Sequence, residues 1–137
     1  MLTGQCHCGA IRYEVTGAIS SRTLCHCSMC RGTTGAPCVA WFTVPLTRFR
    51  LAAGTPVLYR SSDHGTRGFC GACGTQISFA DAAYPDDIDI TTCSLAQPEL
   101  AAPTSHIFMD SAVPWMVPGD DLPRHGRSRN QDAELRD

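Results

Sequence analysis

Seven of the nine cysteines fall into three tight groups, Cys6-x-Cys8-Gly9, Cys25-x-Cys27-x2-Cys30 and Cys70-x2-Cys73-Gly74. Sulfurs that must converge on one point fix the turns that carry them, so these groups restrict the chain more tightly than any hydrophobic pattern does. Two of them end in Cys-Gly, which suits a knuckle in which the chain turns sharply behind the second sulfur. Glycine permits the positive φ that such a turn needs, and backbone N–H groups can then point at the thiolates.

Counting ligands separates the groups. The two pairs supply four sulfurs, which closes one tetrahedral zinc site on Cys6, Cys8, Cys70 and Cys73. Cys25, Cys27 and Cys30 remain as a three-sulfur set. Structural zinc sites are closed and catalytic ones keep a position open, so the spacing predicts one structural zinc and one three-thiolate site with a vacancy. Other readings of the triple group stand beside this one. Cys38, Cys93, His7, His26 or His64 could close it and make it structural, or the three thiols could be a redox site without metal. His7 and His26 each lie between two expected ligands, so their side chains should point away from the metal. Cys38 and Cys93 sit in apolar runs, where a lone cysteine usually behaves as a small buried hydrophobe. Trp41 and Trp115 read as core.

Composition narrows the function. The net charge is −2, so there is no electrostatic footprint for nucleic acid. The basic run from Arg124 to Arg129 lies in a polar C-terminal stretch and reads as solvated. All 11 basic residues are arginines, and without lysine neither Schiff-base chemistry nor a P-loop is available. The first residues, MLTGQCHCG, lack the basic and apolar regions of a signal peptide. No run approaches the roughly 18 apolar residues of a membrane span. Cysteines without an export signal point to metal or catalysis rather than disulfides, and the expected compartment is cytoplasmic.

At 137 residues, with 43% apolar and 18% charged, the chain suits a single folded domain. Turn residues divide it into short strand-like runs: Ala10 to Val15, Cys38 to Val44, FRLAAG and PVLYRS around Gly54, TQISFAD after Gly74, Asp87 to Leu95, and Ser105 to Met109. This pattern predicts a mainly antiparallel β fold. The only helical candidates are short, SMCRGTTG and AQPELAA. A domain over residues 1–123 with a polar tail over 124–137 is the expected organisation.

A three-thiolate zinc carries a formal charge of −1. It is a poorer acidifier of water than a zinc held by imidazoles, and it accepts a further sulfur readily. That favours chemistry on a thiol over hydrolysis. Arg31, directly after Cys30, is a candidate to offset the negative charge or to grip a substrate carboxylate. His26, His64 and His106 are candidates for proton transfer.

The segments GQCHCGAIRY (Gly4 to Tyr13), CHCSMCRGTTG (Cys25 to Gly35) and RGFCGACG (Arg67 to Gly74) resemble the glutathione-dependent formaldehyde-activating enzyme family, also called the centromere protein V family. The later HIF and PW elements (His106 to Phe108, Pro114-Trp115) fit as well. The resemblance implies antiparallel sheets in a β-tent, stapled by a structural zinc on Cys6, Cys8, Cys70 and Cys73, with short helical turns. It implies a second zinc on Cys25, Cys27 and Cys30, the expected catalytic set, and the open position there makes this zinc the more labile of the two in expectation. The activity implied is that of a carbon–sulfur lyase, resembling S-(hydroxymethyl)glutathione synthase, with glutathione or a similar thiol and an aldehyde as partners. A non-catalytic carrier of zinc or thiols, or a protein-interaction module, is the rival reading.

Overall fold

The computed structural model describes residues 1–128. A three-stranded antiparallel sheet holds β1 (Leu2–Gln5), β2 (Arg12–Val15) and β5 (Phe49–Ala53) in the order β1-β2-β5. The larger sheet has seven strands. These are β3 (Ser20–Cys25), β4 (Val39–Pro45), β6 (Val57–Arg60), β7 (Gly65–Phe69), β8 (Gln76–Asp81), β9 (Asp87–Thr91) and β10 (Ser105–Ile107). Their order is β10-β3-β4-β9-β8-β7-β6. The fold is mainly β, as the turn pattern predicts. One pairing departs from the antiparallel expectation: β10 runs parallel to β3, with His106 opposite Leu24.

Alternation along β4 shows how the large sheet is used. Phe42 and Val44 are fully buried against the small sheet, in a core with Tyr13, Val15, Ile77 and Ile90. Burying side chains of this size stabilises by roughly 1.5–3 kcal/mol each. Trp41 faces the other way, into a second cluster with Cys25 and Cys30. One face of the sheet therefore carries the core and the other carries chemistry.

Helical structure is sparse. The SMCRGTTG segment forms α1 (Ser28–Thr34), closed by Gly35 in the left-handed conformation. AQPELAA yields only a 3-10 turn at Pro98–Ala101, with proline in its first turn. The run expected as a strand from Asp87 to Leu95 leaves the sheet after Thr91 and becomes a 3-10 turn at Thr92–Ser94. Strands β1, β3 and β7 carry no clear β signal in their sequences; β7, GTRGF, has two glycines and an arginine.

The last described residues run alongside the sheet. Residues 123–127 straddle the expected boundary and run beside β10. His106 N donates to Pro123 O, His125 N to His106 O, and Phe108 N to Arg127 O. Arg124 and Arg127 are exposed; the rest of the expected tail, 129–137, lies outside the described residues. No helix among the described residues is long and apolar enough to cross a membrane.

Candidate metal and thiol site

The two Cys-Gly knuckles are built alike. Cys6 N donates to Ile11 O at 3.0 Å and Cys70 N to Thr75 O at 3.0 Å, so each first cysteine closes a loop of the same length. Gly9 and Gly74 turn the chain at φ 79° and 81°, a conformation costly for any residue with a Cβ. One knuckle joins β1 to β2 in the small sheet and the other joins β7 to β8 in the large one. Their four sulfurs meet, each within 4.8 Å of the others. Cys6 and Cys8 Sγ are 3.6 Å apart, and Cys8 and Cys70 Sγ 3.8 Å. A tetrahedral zinc with bonds of about 2.3 Å requires sulfurs about 3.8 Å apart, so this set fits the metal. Ile11 N points at Cys6 Sγ from 3.2 Å, the N–H···S contact expected of a knuckle. The hydroxyl of Thr75, 3.2 Å away, is the main influence holding the Cys73 thiol down at about 5.

The second group is assembled differently. Cys25 ends β3, Cys27 caps α1 and accepts from Cys30 N at 3.2 Å, and Cys30 lies buried in the first turn of α1. The three sulfurs also lie within 4.8 Å of one another, and no fourth Cys, His, Asp or Glu among the described residues joins them. Hydrogen bonds from the Cys25 and Cys30 thiols hold Cys27 far below the ordinary thiol range. The same contacts, together with burial, push Cys25 up. One thiolate thus forms easily, and the rest are harder to ionise until a cation shares their charge.

That cation is partly supplied by Arg67, which spacing arguments do not find. Its buried guanidinium lies 3.7 and 3.8 Å from Cys30 Sγ. It donates to Ser61 Oγ at 3.1 Å and stacks 4.8 Å above the Phe79 ring. No signal in the sequence marks it, since β7 is not legible as a strand and the strand arginines Arg12, Arg50 and Arg60 are exposed. Arg31, the arginine expected in this role, instead donates to the carbonyls of His26 and Ser111.

The other sequence candidates fall as follows. The His26 side chain turns away from the sulfurs, as its place between two of them requires, and lies 2.9 Å from His106. His106 bonds in turn to Asp120 at 3.0 Å. Both rings are buried, so His106 belongs to an internal hydrogen-bond chain rather than to a pocket wall. His64 lies on the cavity rim and His7 is exposed. Cys93 and Trp115 are exposed and Cys38 is half-buried, against the expectation that all three are internal. Their polar or proline neighbours end the adjoining apolar runs before a core can form.

Cys25, Cys27 and Cys30 open onto a cavity of about 380 Å³. Its floor is the outer face of the large sheet, bearing Thr43, Asp89, Phe79 and Arg67 across four strands. Trp41 and Phe79, 6.3 Å apart, supply apolar surface next to the sulfurs. Asp89 is largely buried and accepts from the Thr43 hydroxyl at 2.6 Å. Burial pushes its pKa up to about 6, with Asp87 and Asp81 adding repulsion.

A family model described as "glutathione-dependent formaldehyde-activating enzyme" matches residues 1–111. A solved structure of a Rhodobacter sphaeroides protein shares the fold, with a TM-score of 0.56 at 24% identity, over 89% of this chain and 98% of that one. The chain belongs to the glutathione-dependent formaldehyde-activating enzyme family.

Proposed function

We propose that this protein is a carbon–sulfur lyase that joins a small thiol, glutathione or one like it, to an aldehyde such as formaldehyde, and also cleaves the adduct. One observation carries the reading: three sulfurs converge on the wall of a cavity, with no fourth ligand among the described residues. The family match supports the pairing of glutathione with formaldehyde.

Zinc suits both sulfur sets. Cys6, Cys8, Cys70 and Cys73 would hold it structurally, and Cys25, Cys27 and Cys30 would hold it at the cavity. At the cavity, bound zinc supplies a place where a thiol gives up its proton and keeps a high electron density.

The chain's own groups do the rest. Arg67 sets a fixed positive charge behind Cys30, so that a further anionic sulfur can approach the cluster. Trp41 and Phe79 keep water from that side and strengthen the electrostatics there. In the joining direction the thiol proton leaves and the sulfur adds to the carbonyl carbon. A C–S bond forms as the C=O π bond opens, and the oxygen is protonated to a hydroxyl. Cleavage is the reverse.

Turnover with formaldehyde and small thiols, for the zinc-loaded protein and its Cys27→Ser variant, tests this. The variant is expected to fall at least about a hundredfold toward the uncatalysed rate. Equal rates, or no rate above background for the unaltered protein, overturn the assignment. Saturable thiol binding without acceleration would instead mark a carrier.

A further inference from the structure

The C-x-C run that opens the three-sulfur cluster depends on its middle residue. In a straight strand the α-carbons of Cys25 and Cys27 would stand about 6.6 Å apart, with nothing to draw their sulfurs toward a third. Here β3 ends at Cys25, α1 begins directly after Cys27, and the three sulfurs lie within 4.8 Å of one another. Residue 26 makes that turn, and three polar contacts hold it. Its N–H donates to Ile107 O at 3.0 Å, its carbonyl accepts from Arg31 Nε at 3.4 Å, and its ring Nε2 lies 2.9 Å from His106 Nδ1. Two of the three come from β10, the strand that pairs parallel to β3.

Packing alone does not account for the ring contact. His26 and His106 are 0% and 1% exposed, and His26 Nδ1 has no partner among the described residues. A buried polar atom left unpaired costs free energy, which an apolar side chain in the same space avoids. What Nε2 does explains the imidazole. Both carboxylate oxygens of Asp120 lie 3.0 Å from His106 Nε2, and this bond holds the Asp120 carboxyl below the usual carboxylate range. The carboxylate can only accept. In the neutral pair, His106 therefore donates from Nε2 and accepts at Nδ1, and His26 donates from its own Nε2. Asp120 fixes the His106 ring, and the His106 ring fixes His26. Neither histidine lines the cavity, so neither meets a thiol or an aldehyde there.

We propose that His106, held by Asp120, is a positioning residue of the three-sulfur centre: through His26 it sets the turn that aims Cys25 and Cys27 at one metal. This rests on the reading that zinc occupies that centre, and it names what aims the sulfurs. A carboxylate commonly orients a histidine that itself binds the metal. Here carboxylate and histidine together orient the residue that stands between two ligands.

Zinc retention at the two sites, read by chelator competition, tests this in His106→Leu, His106→Asn and Asp120→Ala. Asparagine returns an acceptor close to the place of Nδ1, and leucine does not. His106→Leu is expected to weaken retention at the three-sulfur site about 10- to 100-fold, with the four-sulfur site unchanged. His106→Asn should recover most of that loss. Asp120→Ala, a change at an exposed side chain, should cost several-fold. Cobalt in place of zinc adds a spectroscopic readout: thiolate-to-metal absorption from the three-sulfur site should fall in His106→Leu and return in His106→Asn. A loss below about threefold in His106→Leu, an equal loss at both sites, or no difference between leucine and asparagine overturns the proposal. If His106→Leu does not fold, Asp120→Ala decides, and unchanged retention at the three-sulfur site overturns it. If the unaltered protein holds no zinc there, the zinc reading fails by itself. Affinity for phenylarsine oxide, which bridges converging thiols, then decides the positioning by the same comparison of variants.

Discussion

The two sulfur clusters use the same atoms to opposite ends. The four-sulfur set takes one knuckle from each sheet and supplies all four ligands of a tetrahedral metal. The three-sulfur set lies on the end of β3 and the start of one short helix, at the wall of a cavity, with an arginine behind it. A cluster that joins separate elements is expected to hold the fold, because losing a sulfur would loosen the join between the sheets. A cluster drawn from one local segment can be altered while the sheets stay paired. Ligand count and the origin of the ligands point to the same division.

The division can be broken experimentally, and the largest effect belongs to the closed cluster. Cys70→Ala is expected to remove more than about 5 kcal/mol, most of a domain's stability, because metal binding there is folding energy. Soluble yield and a thermal melt by circular dichroism check this, beside Cys27→Ser, which should melt close to the unaltered protein. Similar losses for both would erase the distinction. Next comes Arg67→Met, which keeps the shape of the stem and removes the charge. It leaves the buried sulfurs uncompensated, at a cost of roughly 3–5 kcal/mol. It should also weaken metal retention at the three-sulfur site about 10- to 100-fold in a chelator competition, with the four-sulfur site unchanged.

The smallest effect is a gain. Asp89 has its pKa raised from 3.8 to about 6, chiefly by burial. For a carboxyl shifted upward, the stabilising share is complete below the unfolded value and is lost as the pH rises through the folded one. About two pKa units correspond to roughly 3 kcal/mol. Asp89→Asn is therefore expected to be more stable than the unaltered protein by roughly 2–3 kcal/mol at pH 7.5, and nearly equal to it at pH 4. Paired denaturant melts at the two pH values measure the difference. A gain confined to neutral pH would show that the cavity holds its charge at the expense of stability.

The sulfur sets were readable because each knuckle is local, and a Cys-x-Cys-Gly or Cys-x2-Cys-Gly run dictates its own turn. The pairing of the first knuckle with the third followed from ligand count alone. Strands with β-branched and aromatic residues, such as β4 and β9, were likewise legible. Residues acting across the sheet were not. Arg67 reaches Cys30 from 37 positions away, and His26 meets His106 across 80. No local period encodes either contact. Asp87 and Asp89 look in sequence like the wet side of an alternating strand. Only the sheet order shows that their side is roofed into a cavity.

The span of each cluster along the chain has a consequence for synthesis. Cys25, Cys27 and Cys30 leave the ribosome almost together, and a short run of thiols can take up metal before any sheet exists. The four-sulfur cluster must wait for Cys73 and must close a loop of 62 positions between Cys8 and Cys70. The segment beside His106, residues 123–127, arrives later still. If the nascent chain binds metal at the triple group, it can do so before the four-sulfur staple, which needs both knuckles, is able to close.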